Sequence, residues 1–172
     1  SAKDFFFPQT ENLMDFKTAG KKIEIVDTRR ECEDFVVFGV RACDVRSFDV
    51  LDKVFLAEPV DSYYKNRREH AVIMSLACTR PAETCFCHTF GIDAADPAGD
   101  ITCWKADGAL YMQAKTEKGE KLLAGLENIT EEADETPVSE QKKLIGERMK
   151  KLPLASLSAD AFGDGKTEEF FG

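Results

Sequence analysis

Positive charge is in short supply in this chain: 23 lysines and arginines stand against 32 aspartates and glutamates in 172 residues, a net charge of −9. A polyanion surface would repel such a protein, which argues against nucleic acid and anionic membrane as partners. Long apolar runs are also missing, so no segment reaches the length of a bilayer span. There is no Gly-rich phosphate loop, no Gly-x-Ser-x-Gly elbow and no His-Glu-x-x-His pair, which leaves autonomous hydrolytic or transferase activity without support. No internal repeat or low-complexity stretch appears. No signal-peptide pattern supports an oxidising compartment, so the thiols are expected to be reduced and the location cytoplasmic. What the chain does have is a hydrophobic share of 43%. That is enough for one compact α/β domain over residues 1–172.

Six cysteines carry the strongest signal. Three fall within ten residues in Cys78-Thr-Arg-Pro-Ala-Glu-Thr-Cys85-Phe-Cys87, and a fourth, Cys43, stands in Val40-Arg-Ala-Cys-Asp-Val. Each group directly follows a continuous apolar run, residues 35–40 and 72–77, of the kind expected for strands buried on both faces. Between the runs, Val45, Phe48, Leu51, Val54 and Phe55 recur at helical spacing over residues 44–56. Strand, helix and strand make a βαβ unit with parallel strands and a right-handed return. Cys43 and Cys78 then lie just beyond adjacent carboxyl ends, where such sheets bind ligands, with Cys85 and Cys87 folded back over them. Four thiols at one rim form a soft-metal site, and iron–sulfur is the first candidate.

Blander readings compete for each thiol, because free cysteine is commonly a small packed hydrophobe. That reading suits Cys103, which alternates with Thr102 and Trp104, while Cys32 lies in a charged stretch and is expected to be exposed. The spacing lacks the paired C-x-x-C knuckles of a zinc ribbon and the C-x-x-C-x-x-C run of a ferredoxin. A disulfide between Cys85 and Cys87 is disfavoured by their closeness.

The remaining segments fill out a mixed sheet with a hairpin and C-terminal helices. Residues 12–17 read as a short helix and residues 23–27 as an edge strand. Ala106-Asp-Gly-Ala109 supplies a hairpin turn between strands 101–105 and 110–114. Residues 117–129 and 139–152 read as amphipathic helices joined by the acidic linker 130–135, the second halted at Pro153. The apolar arm Phe5-Phe-Phe-Pro8 and the closing Phe170-Phe171 are expected on surfaces covered by further protein, as if the chain were cut from something longer.

Other chemistry is thinner. Residues 61–70 read as a helix with a solvated charged face, and the functional alternative gives Arg67 or Arg68 an acidic partner or a flavin phosphate. His88 is a candidate ligand or hydrogen-bond donor to a cluster sulfur, though a loop histidine is usually neither. Asp93, Asp96 and Asp100 hint at calcium, but their spacing is not an EF-hand and a turn cluster explains them as well.

Taken together, Phe38-Gly-Val-Arg-Ala-Cys-Asp-Val-Arg46, Leu51-Asp-Lys-Val-Phe55, Asp61-Ser-Tyr-Tyr with Arg67-Arg-Glu69, and the Cys78–Cys87 segment resemble the iron–sulfur beta subunit of cytoplasmic sulfhydrogenases. The same pattern is similar to the A subunit of anaerobic sulfite reductase and, more weakly, to the beta subunit of coenzyme F420-reducing hydrogenase. The resemblance runs from Phe5 onward and is densest from Phe38 to Asp96. It implies an electron-transfer subunit of anaerobic metabolism, not catalytic alone, passing electrons between a flavin or nicotinamide subunit and a hydrogenase or sulfite-reducing subunit. It implies a [4Fe-4S] cluster on Cys43, Cys78, Cys85 and Cys87, with FAD a weaker expectation because no phosphate-binding loop is visible. It also implies a following ferredoxin-type domain with further clusters. The alternatives are a redox-inert docking domain whose cysteines merely pack, or a flavin-binding subunit.

Overall fold

The computed structural model describes residues 1–28 and 32–162. Its centre is a four-stranded sheet in the order β3-β4-β5-β6, built from β3 (Phe35–Val40), β4 (Ala71–Leu76), β5 (Ile101–Ala106) and β6 (Ala109–Ala114). β3, β4 and β5 run parallel and β6 returns antiparallel, so the sheet is mixed. The crossover from β3 to β4 carries α1 (Ala42–Phe55) and α2 (Ser62–His70), which is the expected βαβ unit. The hairpin turn sits at Asp107-Gly108, both with positive φ, as a tight two-residue turn requires.

β4 is the buried strand of the pair. β3 departs from the expectation of burial on both faces: it is an edge strand, and Val36 and Phe38 are exposed on the side away from α1. Within β3 the register slips between Phe38 and Val40, at Gly39 with φ of +81°. That backbone suits only glycine without strain, and the bulge lets Val37 and Val40 both face the core.

Three apolar clusters hold the sheet. On one face Val37, Val40 and Ile73 meet Val45 and Phe48 of α1 and Tyr64 of α2. Phe6 closes this cluster and is fully buried, packing edge-on to Phe48 at 4.7 Å between ring centres. The arm is therefore not a uniformly exposed surface: Phe5 and Phe7 lie outside while Phe6 is a core plug. Phe170 and Phe171 fall outside the described residues. On the opposite face Met74, Ile101 and Cys103 pack against Leu122 and Leu123 of α3 (Glu117–Ala124). At the carboxyl end of β4, Ala77, Ala94 and Trp104 meet Ile145 and Met149 of α4 (Thr136–Lys150).

Two further readings change. Residues expected as a short helix form β1 (Met14–Ala19), paired antiparallel with β2 (Lys22–Asp27) as a separate two-stranded sheet. Met14, Phe16 and Thr18 alternate at period two against Ile25 and Ile23, and Gly20 turns the chain at positive φ. α3 ends at Ala124 instead of continuing to Ile129, since Gly125 takes the cap and carries the chain into turns. Among the described residues no helix is long and apolar enough to cross a membrane.

Candidate functional site

β4 and β5 are parallel neighbours, yet no α-helix joins them: their crossover is the long loop that carries Cys78, Cys85 and Cys87, with a single 3-10 turn at Cys87–Phe90. Val40 pairs with Ser75 across β3 and β4. Cys43 and Cys78 each follow that paired rung by three residues, Cys43 in the first turn of α1 and Cys78 in the crossover loop. Cys43 is the second residue of α1, whose N-cap Arg41 gives no side-chain hydrogen bond to the first turn.

The loop is held from several sides. The Ala77 amide donates to the Cys103 carbonyl at 2.9 Å and the Cys78 amide to the Ala94 carbonyl at 2.9 Å. After Pro81 the chain closes a turn in which the Cys85 amide donates to the Ala82 carbonyl and the Ala82 amide donates to Cys85 Sγ at 3.3 Å. Arg148 of α4 donates to the Thr79 carbonyl at 2.6 Å, and Thr89 Oγ1 to the Leu157 carbonyl at 2.9 Å. Cys78 and Cys87 lie on the Trp104, Ile145 and Met149 cluster. α4 thus forms the floor of the loop, a role its periodicity alone did not disclose.

The electrostatic surroundings of Cys87 include the thiols of Cys43, Cys85 and Cys78. Burial pushes the Cys87 thiol up to about 11, and the negative forms of Cys43, Cys85 and Cys78 each push the same way. Burial also raises Cys78, opposed by the Arg41 guanidinium and reinforced by Cys85 and Cys43. Arg41 was not singled out in the sequence, although its place between a strand and a helix is the signal that marks it. The side chains as placed are not closed around a centre. Among the described residues no three His, Cys, Asp or Glu groups stand in a metal-holding arrangement. The thiols are soft donors of the kind an iron–sulfur group takes. Beside them, both ring nitrogens of His88 are enclosed and have no hydrogen-bond partner.

The other two cysteines stand apart. Cys103 is fully buried in the α3-facing cluster, as its alternation predicted. Cys32 is half-buried, not exposed, and lines a small cavity with Glu11, Tyr63 and Arg67.

Arg67 and Arg68 turn inward, against the expectation of a fully solvated face. Arg67 forms a two-pronged pair with Glu11 at 2.6 and 2.7 Å, and Arg68 one with Asp52 at 2.9 and 2.8 Å. Tyr64 donates to the same Asp52 at 2.6 Å. A cavity of about 540 Å³ opens beside Arg68, Asp52, Lys118 and Asp100, but these groups are taken up internally. Lys118 donates to the Arg68 and Ala71 carbonyls, and Asp100 accepts from the Ile73 amide and Thr116. No phosphate is needed to balance either arginine. Asp93, Asp96 and Asp100 serve as a turn acceptor, a partner of Lys142 and Lys115, and a strand tether respectively, so the calcium hint has no support in their geometry.

Over 159 residues, 92% of its length, the chain is 32% identical to sulfhydrogenase 2 subunit beta of Pyrococcus furiosus. It spans 46% of that protein, less than half of its length. No family model and no solved structure matches the chain.

Proposed function

We propose that this chain, a relative of the sulfhydrogenase beta subunits, is an electron-relay module of a hydrogenase-type oxidoreductase complex that holds an iron–sulfur cluster on Cys43, Cys78, Cys85 and Cys87. The observation that supports the reading is topological: Cys43 and Cys78 each follow the paired Val40–Ser75 rung by three residues, and Cys85 and Cys87 lie in the same crossover loop as Cys78. When bound, such a cluster stores and passes single electrons.

The protein's own share of the work is positional. In this reading Cys43 comes from the first turn of α1 and Cys78 from just beyond β4, and the turn closed by Ala82 and Cys85 would have to bring Cys85 and Cys87 to them. Ligation requires all four as thiolates. Arg41 favours that form at Cys78, while burial of Cys78 and Cys87 opposes it. Side-chain rotation about χ1 then has to close the donor set, with the backbone held by Arg148 and Thr89. The partners in this reading are a flavin- or nicotinamide-binding subunit on one side and a hydrogenase or sulfite-reducing subunit on the other.

A second reading is a redox-inert docking domain with structural cysteines. The open arrangement of the donors and the raised thiols favour it. Anaerobic reconstitution separates the two. About four irons per chain with broad charge-transfer absorption supports the relay, and a colourless protein that takes up no iron supports docking.

A further inference from the structure

The β1–β2 hairpin carries an apolar face that the described residues leave open. Directly opposed residues of an antiparallel pair share a face. The register therefore puts Met14, Phe16 and Thr18 with Asp27, Ile25 and Ile23 on one side, and the charged residues Asp15, Lys17, Lys22 and Glu24 on the other. On the apolar side Phe16 is 66% exposed, Ile23 71%, Ile25 66% and Met14 47%, and none of them belongs to the three apolar clusters. A two-stranded sheet with its apolar face in water is marginal by itself, and a contiguous patch of this kind marks an interaction surface. The hairpin is nevertheless tied down at its base. Thr28 Oγ1 donates to the Asn12 carbonyl at 2.7 Å, Tyr63 donates to the Leu13 carbonyl at 2.9 Å, and Arg67 pairs with Glu11.

The charges along the hairpin define what fits this face. Lys17, Lys21 and Lys22 balance Asp15, Glu24 and Asp27, so the segment 14–27 is neutral in a chain of net charge −9. Its turn end is basic, with Lys21 and Lys22 beside Gly20, and its base is acidic, with Asp15 and Asp27. The middle rung of the apolar face is Phe16–Ile25. A second copy turned by 180° about that rung lays apolar face on apolar face and sets each basic turn against the other's acidic base, as a self-complementary contact requires. A basic partner drawn by the negative field of the chain would find no net charge here.

We propose that this face is a twofold interface between two copies of the chain, with Phe16, Ile23 and Ile25 at its centre and Lys21 of one copy beside Asp27 of the other. Strands of this length make a face about 20 Å long, and covering it on both copies gives an interface at or below the ~1,000 Å² at which specific contacts begin. The dimer is accordingly weak and depends on protein concentration. It shares no residue with the cysteine loop, so it stands or falls apart from the electron-relay reading.

The test is sedimentation equilibrium of the whole chain under reducing conditions, from micromolar to millimolar protein, with circular dichroism to check the fold. Wild type should rise toward the mass of two chains and no further. Phe16→Glu should weaken the association about tenfold or more. Lys21→Glu and Asp27→Lys, each of which sets like charges together in both symmetry-related pairs, should each weaken it about threefold, and the double variant should recover wild-type association. Lys21 and Asp27 of one copy lie about 20 Å apart along the strand, so such a rescue arises only between copies. A wild type that stays monomeric throughout overturns the proposal and leaves the face to a different protein. So does a dimer that Phe16→Glu does not weaken, association beyond two copies, or a double variant no tighter than the single ones.

Discussion

Replacing Gly119 by alanine sets two effects of opposite sign against each other. Gly119 lies inside α3, where helix propensity alone favours alanine by about 1 kcal/mol. In this fold, however, a Cβ at that position would stand 2.1 Å from the Asp100 carbonyl oxygen and 3.0 Å from Ile101 Cγ1. The obstruction is backbone, so α3 or the entry to β5 has to move by more than 1 Å to restore van der Waals distance. That movement pulls on the Lys115 amide bond to the Asp100 carbonyl at 2.8 Å, the Thr116 bond to the Asp100 carboxylate at 2.7 Å, and the Thr116 cap on the Gly119 amide. Overpacking of this kind costs about 1–3 kcal/mol, and each loosened hydrogen bond adds about 1 kcal/mol. With the three bonds loosened and the propensity gain subtracted, Gly119→Ala should destabilise by about 3–5 kcal/mol. Gly146 in α4 is the control, with nothing within 4 Å of its would-be Cβ; Gly146→Ala should stabilise by about 0.5–1 kcal/mol. Urea unfolding of both variants gives the answer. A neutral or stabilised Gly119→Ala variant would refute the docking of α3 against Asp100.

Three other outcomes follow from the same contacts. Ile145→Ala removes a fully buried side chain from under the cysteine loop. It should cost about 2–5 kcal/mol and speed alkylation of Cys87 in the native state; an unchanged alkylation rate would detach α4 from the loop. Burial alone would raise the Asp52 carboxyl, but hydrogen bonds from Arg68 and Tyr64 hold it below its ordinary 3.8. Its contribution is therefore present above that pH and lost as pH falls through the lower folded value. Asp52→Asn should cost about 1–3 kcal/mol at neutral pH and flatten the acid limb of a stability profile. Burial pushes the Cys103 thiol from 9.0 up to about 11, so the unfolded chain ionises first and stability falls between those values, by at most about 3 kcal/mol. A Cys103→Ala variant that keeps the full alkaline slope would contradict this assignment.

The parts of the fold written as long apolar runs or clear helical periods were legible: β3, β4, α1 and the hairpin β5–β6 all lie where the pattern puts them. Short elements were not. Residues 12–17 hold too few positions to separate a period of two from 3.6, and the strand declares itself only once β2 is paired to it through Gly20. Phe6 could not be told from Phe5 and Phe7, because which ring enters the core depends on the three-dimensional approach of Phe35 and Phe48. Arg67 and Arg68 looked solvated because their partners, Glu11 and Asp52, are 56 and 16 residues away in the chain. The placement of Cys43 and Cys78 just beyond two neighbouring parallel strands was readable from the apolar runs that precede them, since parallel strands place their carboxyl ends together. Closure of the donor set is a matter of side-chain rotamers, on which neither spacing nor periodicity bears.

The most direct measurement of the cluster reading is iron content and visible absorption of anaerobically reconstituted protein carrying single serine substitutions at all six cysteines. Serine is a harder and far less acidic donor than a thiol. Cys43→Ser, Cys78→Ser, Cys85→Ser and Cys87→Ser should each lower iron and bleach the absorption, while Cys32→Ser and Cys103→Ser, whose thiols face Arg67 and the α3 cluster, should match the wild type. Full iron in all four of the first set, or loss confined to Cys103→Ser, would contradict the assignment of the rim thiols as the electron-relay site.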